Sequence, residues 1–232
     1  MVVDMSEWKA ISGLQIAIDG PSGSGKGTIA KTVAQAVGLP VLDTGLLYRF
    51  IGYSSMQNGA TDEAGVLACM DECLGDMQWM PGGIFVQGKN IGDKLRQEDV
   101  AAAASRVAAM PEVRRRLLHV QQDIAKNGCV MDGRDIGSVV LPDAQAKFYL
   151  TASLRERARR RWSQLQGLGA EVSLDATLNE IRLRDTQDAE RTHSPLKQAR
   201  DAVCIDSTTM RIDEVVDRML SIMERRALIE KT

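Results

Sequence analysis

At 232 residues, 44% hydrophobic and 26% charged, the chain is long enough for one domain with a sizeable core, or for a core domain with small inserts, and its composition is that of a soluble globular protein. A formal charge of −2 argues against a general binder of nucleic acid or membrane surfaces, although basic residues cluster locally. Cysteines 69, 73, 129 and 204 form no CxxC pair and lie far from His119 and His193, which argues against a zinc site and fits a reducing compartment. The first thirteen residues carry Asp4, Glu7 and Lys9 and no apolar run. They read as a flexible extension rather than a signal peptide, no stretch reaches the length of a membrane span, and the expected location is the cytoplasm.

In chain order, Leu14 to Ile18 is a short apolar run ended by Asp19-Gly20-Pro21 and predicts a buried strand. From Gly27 the period changes: Ile29, Val33, Ala36 and Val37 share a helical face, and Gly38 and Pro40 end the helix. Val41-Leu42 predicts a second strand, followed by helices around 47–57 and 62–74. Between 77 and 92 the apolar residues alternate and Gly82-Gly83 and Gln87-Gly88-Lys89 turn, which predicts a small antiparallel β unit. An alanine-rich helix (99–109) and a helix from Pro111 follow, then a third strand at 129–131 and a fourth at 146–150. A very basic helix (153–166), a break between Gly167 and Gly169, and a long helix (173–190) precede a fifth strand at 202–205. Asp206-Ser207 is expected to cap a final helix from about 211 to 227.

Strands alternating with helices predict an α/β fold, a mostly parallel five-stranded core sheet with helices on both faces. Motifs at 19–28, 43–49, 132–135 and 206–209 each follow a predicted strand, so they are expected along the edge where such sheets bind ligands.

The first of these, Gly20-Pro21-Ser22-Gly23-Ser24-Gly25-Lys26-Gly27-Thr28, is a phosphate-binding loop. Glycines let successive amides converge on an anion, the following helix adds its N-terminal partial charge, and Lys26 supplies a full one. Gly27 stands where many such loops place the Ser or Thr that touches Mg²⁺. Thr28 is then an alternative ligand, or the ion is held through phosphates and water with Asp132 behind the water.

In "DTGLLYR", Thr44 reads equally as a helix cap, whereas Arg49 lies at the strand-end edge with no evident acidic partner. In "DGRDIG", Arg134 and Asp135 are adjacent and cannot face each other well, which leaves them to contact different groups of one ligand; an ion pair to another side chain is the other reading. Arg184, Asp188 and Arg191 share a helix face beside Leu174, Leu178 and Ile181, either as an exposed ion-pair ladder or as a clamp for phosphate and a ribose hydroxyl. The arginine run in "LRERARRRW" reads as a lid that brings Arg157, Arg160 and Arg161 over a transferring phosphate and excludes water.

The stretches "IDGPSGSGKGT", "LDTGLLYR", "AASRVAAMPEVR", "MDGRDIGSVVLPDA", "RDTQDAERTHSPL" and "IDSTTM", which span residues 16 to about 210, resemble those of the cytidylate kinase family of P-loop nucleoside monophosphate kinases. The resemblance implies transfer of the γ-phosphate of ATP to CMP or dCMP with Mg²⁺, with residues 20–28 on ATP. Lys26, Arg134 and the arginines at 157, 160 and 161 would stabilise the transferring group. Ser105, Arg114 and Asp135 match positions that read the cytosine edge. Thr44 stands where relatives often carry Ser and Tyr48 beside it; Arg49, Arg134 and Arg191 match those around the acceptor phosphate, and Arg184 and Asp188 those near the ribose. It also implies an organisation: core segments 14–58, 99–152 and 172–230, an acceptor-binding insert over 59–98 with its β unit at about 77–95, and a helical lid over 153–171. A monomer acting on ATP and CMP, without nucleic acid or membrane, is expected. The rival is a P-loop kinase for another nucleoside monophosphate or small acceptor.

Overall fold

Five strands form the central sheet of a computed structural model that describes residues 8–80, 83–167, 169–190 and 195–232. By contact density the chain forms two units, Met1–Leu42 with Ala125–Thr232, and Asp43–Ile124.

In the first unit, strands β2 (Gln15–Asp19), β3 (Val41–Asp43), β7 (Cys129–Gly133), β8 (Ala146–Thr151) and β9 (Val203–Asp206) run in the order β3-β7-β2-β8-β9. β7 and β8 flank β2 in parallel, with Ile18 opposite both Asp132 and Phe148, and β9 is parallel to β8. Residues Ile16, Ala17 and Ile18 are inaccessible to solvent, as expected of a strand covered on both faces. Helix α1 (Lys26–Val37) buries Ile29, Ala30, Val33, Ala34, Ala36 and Val37, and α8 (Ile212–Arg225) buries Val215, Val216, Met219, Leu220, Ile222 and Met223; both feed one apolar core with β2 and β8. Helices α6 (Leu154–Gly167) and α7 (Leu174–Glu190) pack on each other, and Trp162 Nε1 donates to Val172 O at 3.0 Å across their connection.

Two sequence expectations are corrected in this unit. Residues 8–13 are not a loose extension: β1 (Trp8–Ala10) pairs antiparallel with β10 (Ile229–Lys231), Trp8 opposite Lys231, and Trp8 packs against the core. A three-residue strand with a polar centre has too little periodicity to be read from sequence. The cap of α8 is also different. Glu214 accepts from the backbone amide of Arg211 at 2.7 Å, while Asp206 accepts from Thr208 and the Ser207 hydroxyl donates to Thr151 O.

The second unit contains α2 (Thr44–Gln57), α3 (Glu63–Asp76), α4 (Glu98–Val107) and α5 (Pro111–Ala125), with the antiparallel sheet β4 (Met77–Met80), β5 (Gly83–Val86) and β6 (Lys89–Asn90). Leu47, Phe50, Ile51, Met70, Ile84, Leu95, Val113 and Leu117 are core residues. Within this unit α2 seats directly on α4. A Cβ on Gly52 would lie 2.7 Å from Ala104 N, so only glycine permits that approach.

Candidate active site

β2, β7 and β9 are parallel and end at the same edge of the sheet, which places the phosphate loop, "DGRDIG" and "DST" there. Sterics set the loop. A Cβ on Gly20 would lie 2.0 Å from Leu150 O, and Gly23 and Gly25 have φ of +74° and +92°, which disfavour a side chain. Gly25 is the N-cap of α1 and offers no side chain to the first amides of the helix. Pro21 and Ser24 are buried, Ser22 is half-buried, and Thr28 is exposed.

Lys26 is 6% exposed; its Nζ donates to Pro21 O at 2.8 Å and lies 3.5 Å from Ser24 Oγ. Burial pushes its amine well below the ordinary lysine value and Arg134 adds to that, while Asp132, Asp19 and Asp188 oppose it. The lysine is thus a desolvated amine enclosed by the loop. Asp132 and Asp135 are both buried. Asp132 Oδ2 would lie 3.9 Å from a Cβ on Gly27, so a side chain at position 27 would take up the space beside that carboxylate.

Arg134 Nε donates to Asp188 Oδ2 at 2.7 Å, with the two side chains 20% and 2% exposed. Of the two readings for the α7 face, the exposed ladder therefore fails for Asp188, while Arg184 is exposed. Arg191 lies outside the described residues.

The arginines of α6 divide by burial. Arg157 is 6% exposed and donates to Ala152 O and Ser22 O, both at 2.9 Å, and its Nη1 pairs with Asp185 at 2.7 Å. It anchors the phosphate loop to α7 rather than projecting as a free cation. Arg160 reaches Glu156, Ser24 O and both oxygens of Ser207. Arg159 pairs with Glu156, and Arg161 donates to Gln164 at 3.0 Å.

In the second unit Asp43, not Thr44, caps α2 by accepting from Leu46 N at 3.1 Å; Thr44 is the first helical residue and is buried. Arg49 donates to Leu95 O at 2.9 Å. Arg114 stacks over Tyr48, 5.5 Å from the ring centroid, and donates to Ala108 O at 3.3 Å. Ser105 is exposed on α4.

Two carboxylates of the first unit carry no role in the sequence reading. Asp185 grips Arg157, and its Oδ1 is buried without a hydrogen-bond partner among the described residues. Asp19, 3% exposed, accepts from the backbone amides of Ile136 and Gly137, both at 2.8 Å. Asp185 was in reach of sequence, one turn before Asp188 on the same helix. Asp19 looked like a strand-ending turn residue.

Residues 16–225 match the family model described as cytidylate kinase. A protein named cytidylate kinase from Thermosipho melanesiensis is 44% identical over 216 residues, covering 91% of this chain and 97% of its own. One of the same name from Pseudomonas fluorescens is 47% identical over 213 residues, covering 89% and 93%. Among solved structures, an uncharacterized protein from Eubacterium ventriosum shares the fold at a TM-score of 0.54 and 16% identity, covering 92% of this chain and 99% of its own.

Proposed function

The chain belongs to the cytidylate kinase family, and from that premise we propose how its residues carry out the reaction. The enzyme is an ATP-dependent nucleoside monophosphate kinase that phosphorylates CMP; dCMP is proposed as a second acceptor. The observation that carries the residue assignment is the desolvated Lys26 inside a glycine loop at the sheet edge, beside Asp132 and the Arg134–Asp188 pair.

In this reading residues 20–28 cradle the phosphates of ATP through backbone amides, and Lys26 moves from Pro21 O to the phosphate being transferred. A phosphate oxygen of CMP attacks in line, and Arg134, Arg160 and Arg161 neutralise the charge that spreads over the transferring group. Arg157 keeps the Ser22 carbonyl, and so the loop, in place. Arg49 takes the acceptor phosphate with Arg191. Ser105, Arg114 and Asp135 read the cytosine edge, which presents an exocyclic donor and ring acceptors; Thr44 and Tyr48 line their part of the acceptor site, and Arg184 and Asp188 take the ribose.

The residues fit Mg²⁺. Among the described residues no cluster of three or more His, Cys, Asp or Glu forms a protein cage, while the buried Asp132 carboxylate adjoins the bare Gly27. Asp132 would hold the ion through water, with Thr28 a further ligand through its hydroxyl. Bound Mg²⁺ supplies charge neutralisation on the nucleotide phosphates.

No helix among the described residues is long and apolar enough to cross a membrane. We place the enzyme in the cytoplasm as a monomer without nucleic-acid or membrane partners. An acceptor panel of CMP, dCMP, UMP and AMP with ATP and Mg²⁺, read by coupled ADP release, tests the substrate assignment. CMP and dCMP are expected to lead; a preference for AMP would overturn the cytosine-edge roles.

A further inference from the structure

Asp19 ends β2 one residue before the phosphate loop, and its two carboxylate oxygens are spent on another segment. Oδ1 accepts from Ile136 N and Oδ2 from Gly137 N, each at 2.8 Å, across 117 and 118 residues of sequence. Those amides open a π-helical turn, Ile136–Val140, that directly follows Arg134 and Asp135. The first amides of a helical turn have no partner inside it. Within the turn, Val139 N and Val140 N bond back to Asp135 O, so Asp135 is held at its carbonyl by the same turn that Asp19 holds at its amides.

The fit is tight around this contact. A Cβ on Gly137 would lie 3.4 Å from Asp19 Oδ2 and 3.2 Å from Lys147 Cδ, so a side chain there would touch the carboxylate and press on the Lys147 stem. One buried side chain, 3% exposed, thus joins the strand that launches the phosphate loop to the loop that carries Arg134 and Asp135.

We infer that Asp19 is a positioning residue for acceptor recognition: by holding the Ile136 and Gly137 amides it sets where Arg134 and Asp135 stand relative to the phosphate loop. It touches neither substrate and acts through the backbone of the loop that does. The inference rests on the acceptor roles proposed above for Arg134 and Asp135. A carboxylate is required because both groups it meets are N–H donors, and an amide side chain turns one of its two heads into a third donor against them.

The test is Asp19→Asn, which keeps shape and loses one acceptor, alongside Gly137→Ala, which sets a methyl group against Asp19 Oδ2 and the Lys147 stem without altering Asp19. Both are measured for KM of CMP, KM of ATP and kcat, with the folded fraction followed by circular dichroism. The expected result is a rise in KM for CMP of about tenfold or more, as for a lost buried hydrogen bond of about 1.4 kcal/mol or more, with KM for ATP within about twofold. A structural cap alone would lower the folded fraction and the melting temperature while leaving both KM values of the folded enzyme at wild type, and that result overturns the inference. If Asp19→Asn does not fold, Gly137→Ala decides by the same criteria. Failure of the wild-type enzyme to use CMP in the acceptor panel would instead strike the functional reading, which separates the two.

Discussion

Arg134 and Asp188 form a buried ion pair, Nε to Oδ2 at 2.7 Å, between the loop after β7 and the far end of α7. The pair is asymmetric: the arginine side chain keeps 20% of its surface, the aspartate 2%. Removing the arginine therefore takes the nearest cation from a buried carboxylate, whereas removing the carboxylate leaves a cation that water can reach. Arg134→Met is expected to cost about 3 kcal/mol of stability, by the known penalty for breaking a buried pair from one side. Asp188→Asn is expected to cost clearly less. Urea unfolding of both variants and of the double mutant measures this, and equal costs for the two single changes would contradict the asymmetry. Turnover of CMP should fall in both.

Lys26 separates activity from stability in the opposite sense. Its amine is desolvated and held well below the ordinary lysine value, so the folded protein carries it at a cost. Lys26→Met should lower kcat by roughly 10³-fold, in the range seen when a preorganised transition-state charge contact is lost, while the melting temperature stays level or rises. Full activity in the coupled ADP-release assay would remove Lys26 from the mechanism.

The glycines of the phosphate loop are not equivalent. At Gly20 a methyl group would meet the Leu150 carbonyl at 2.0 Å, so Gly20→Ala is expected to abolish soluble, folded protein. At Gly25 no atom of the described residues would lie within 4 Å of an added Cβ, and only the left-handed backbone, φ +92°, opposes a side chain. Gly25→Ala should fold and lose about 1–2 kcal/mol. Expression followed by thermal melting distinguishes the two, and comparable melting temperatures would refute the steric assignment at Gly20.

In the second unit, Gly52→Ala tests the seat of α2 on α4. The added Cβ meets backbone atoms of Ala103 and Ala104 within 3.1 Å, which no rotamer change relieves. Overpacking of this kind costs about 1–3 kcal/mol. A variant as stable as wild type in chemical denaturation would show that the helices part more readily than their packing implies.

Asp19 gives the protein a pH signature. Burial, with a smaller push from Asp135, raises its carboxyl from 3.8 to about 6 against the lowering effect of the two amides and Lys26. A carboxyl raised by folding binds its proton more tightly in the native state than in the unfolded one. Its contribution to stability is complete below about pH 3.8, the unfolded value, and is lost as pH rises through about 6. The stability gap between wild type and Asp19→Asn should therefore be larger at about pH 4.5 than at about pH 7.5. A gap that widens with rising pH would reverse the sign of the burial effect.

What the sequence determined by itself was local. Apolar spacing fixed the strands and helices of the sheet core, and the glycine–lysine pattern at 20–28 marked the phosphate loop, because both are written in consecutive residues. The resemblance named the chemistry from separate stretches without placing them. Only the tertiary structure decided which partners those stretches take. Arg134 meets Asp188 across 54 residues, and Asp19 meets Ile136 across 117. Arg157 turns inward onto Ser22 and Asp185, although Arg159, two residues on, is exposed and pairs with Glu156. Trp8–Ala10 finds its partner strand at the other end of the chain. The physical reason is the same in each case. A charged or amide group takes whatever complement the sheet order brings beside it, and sheet order follows from which apolar faces are buried together, a property of the whole core rather than of any one stretch.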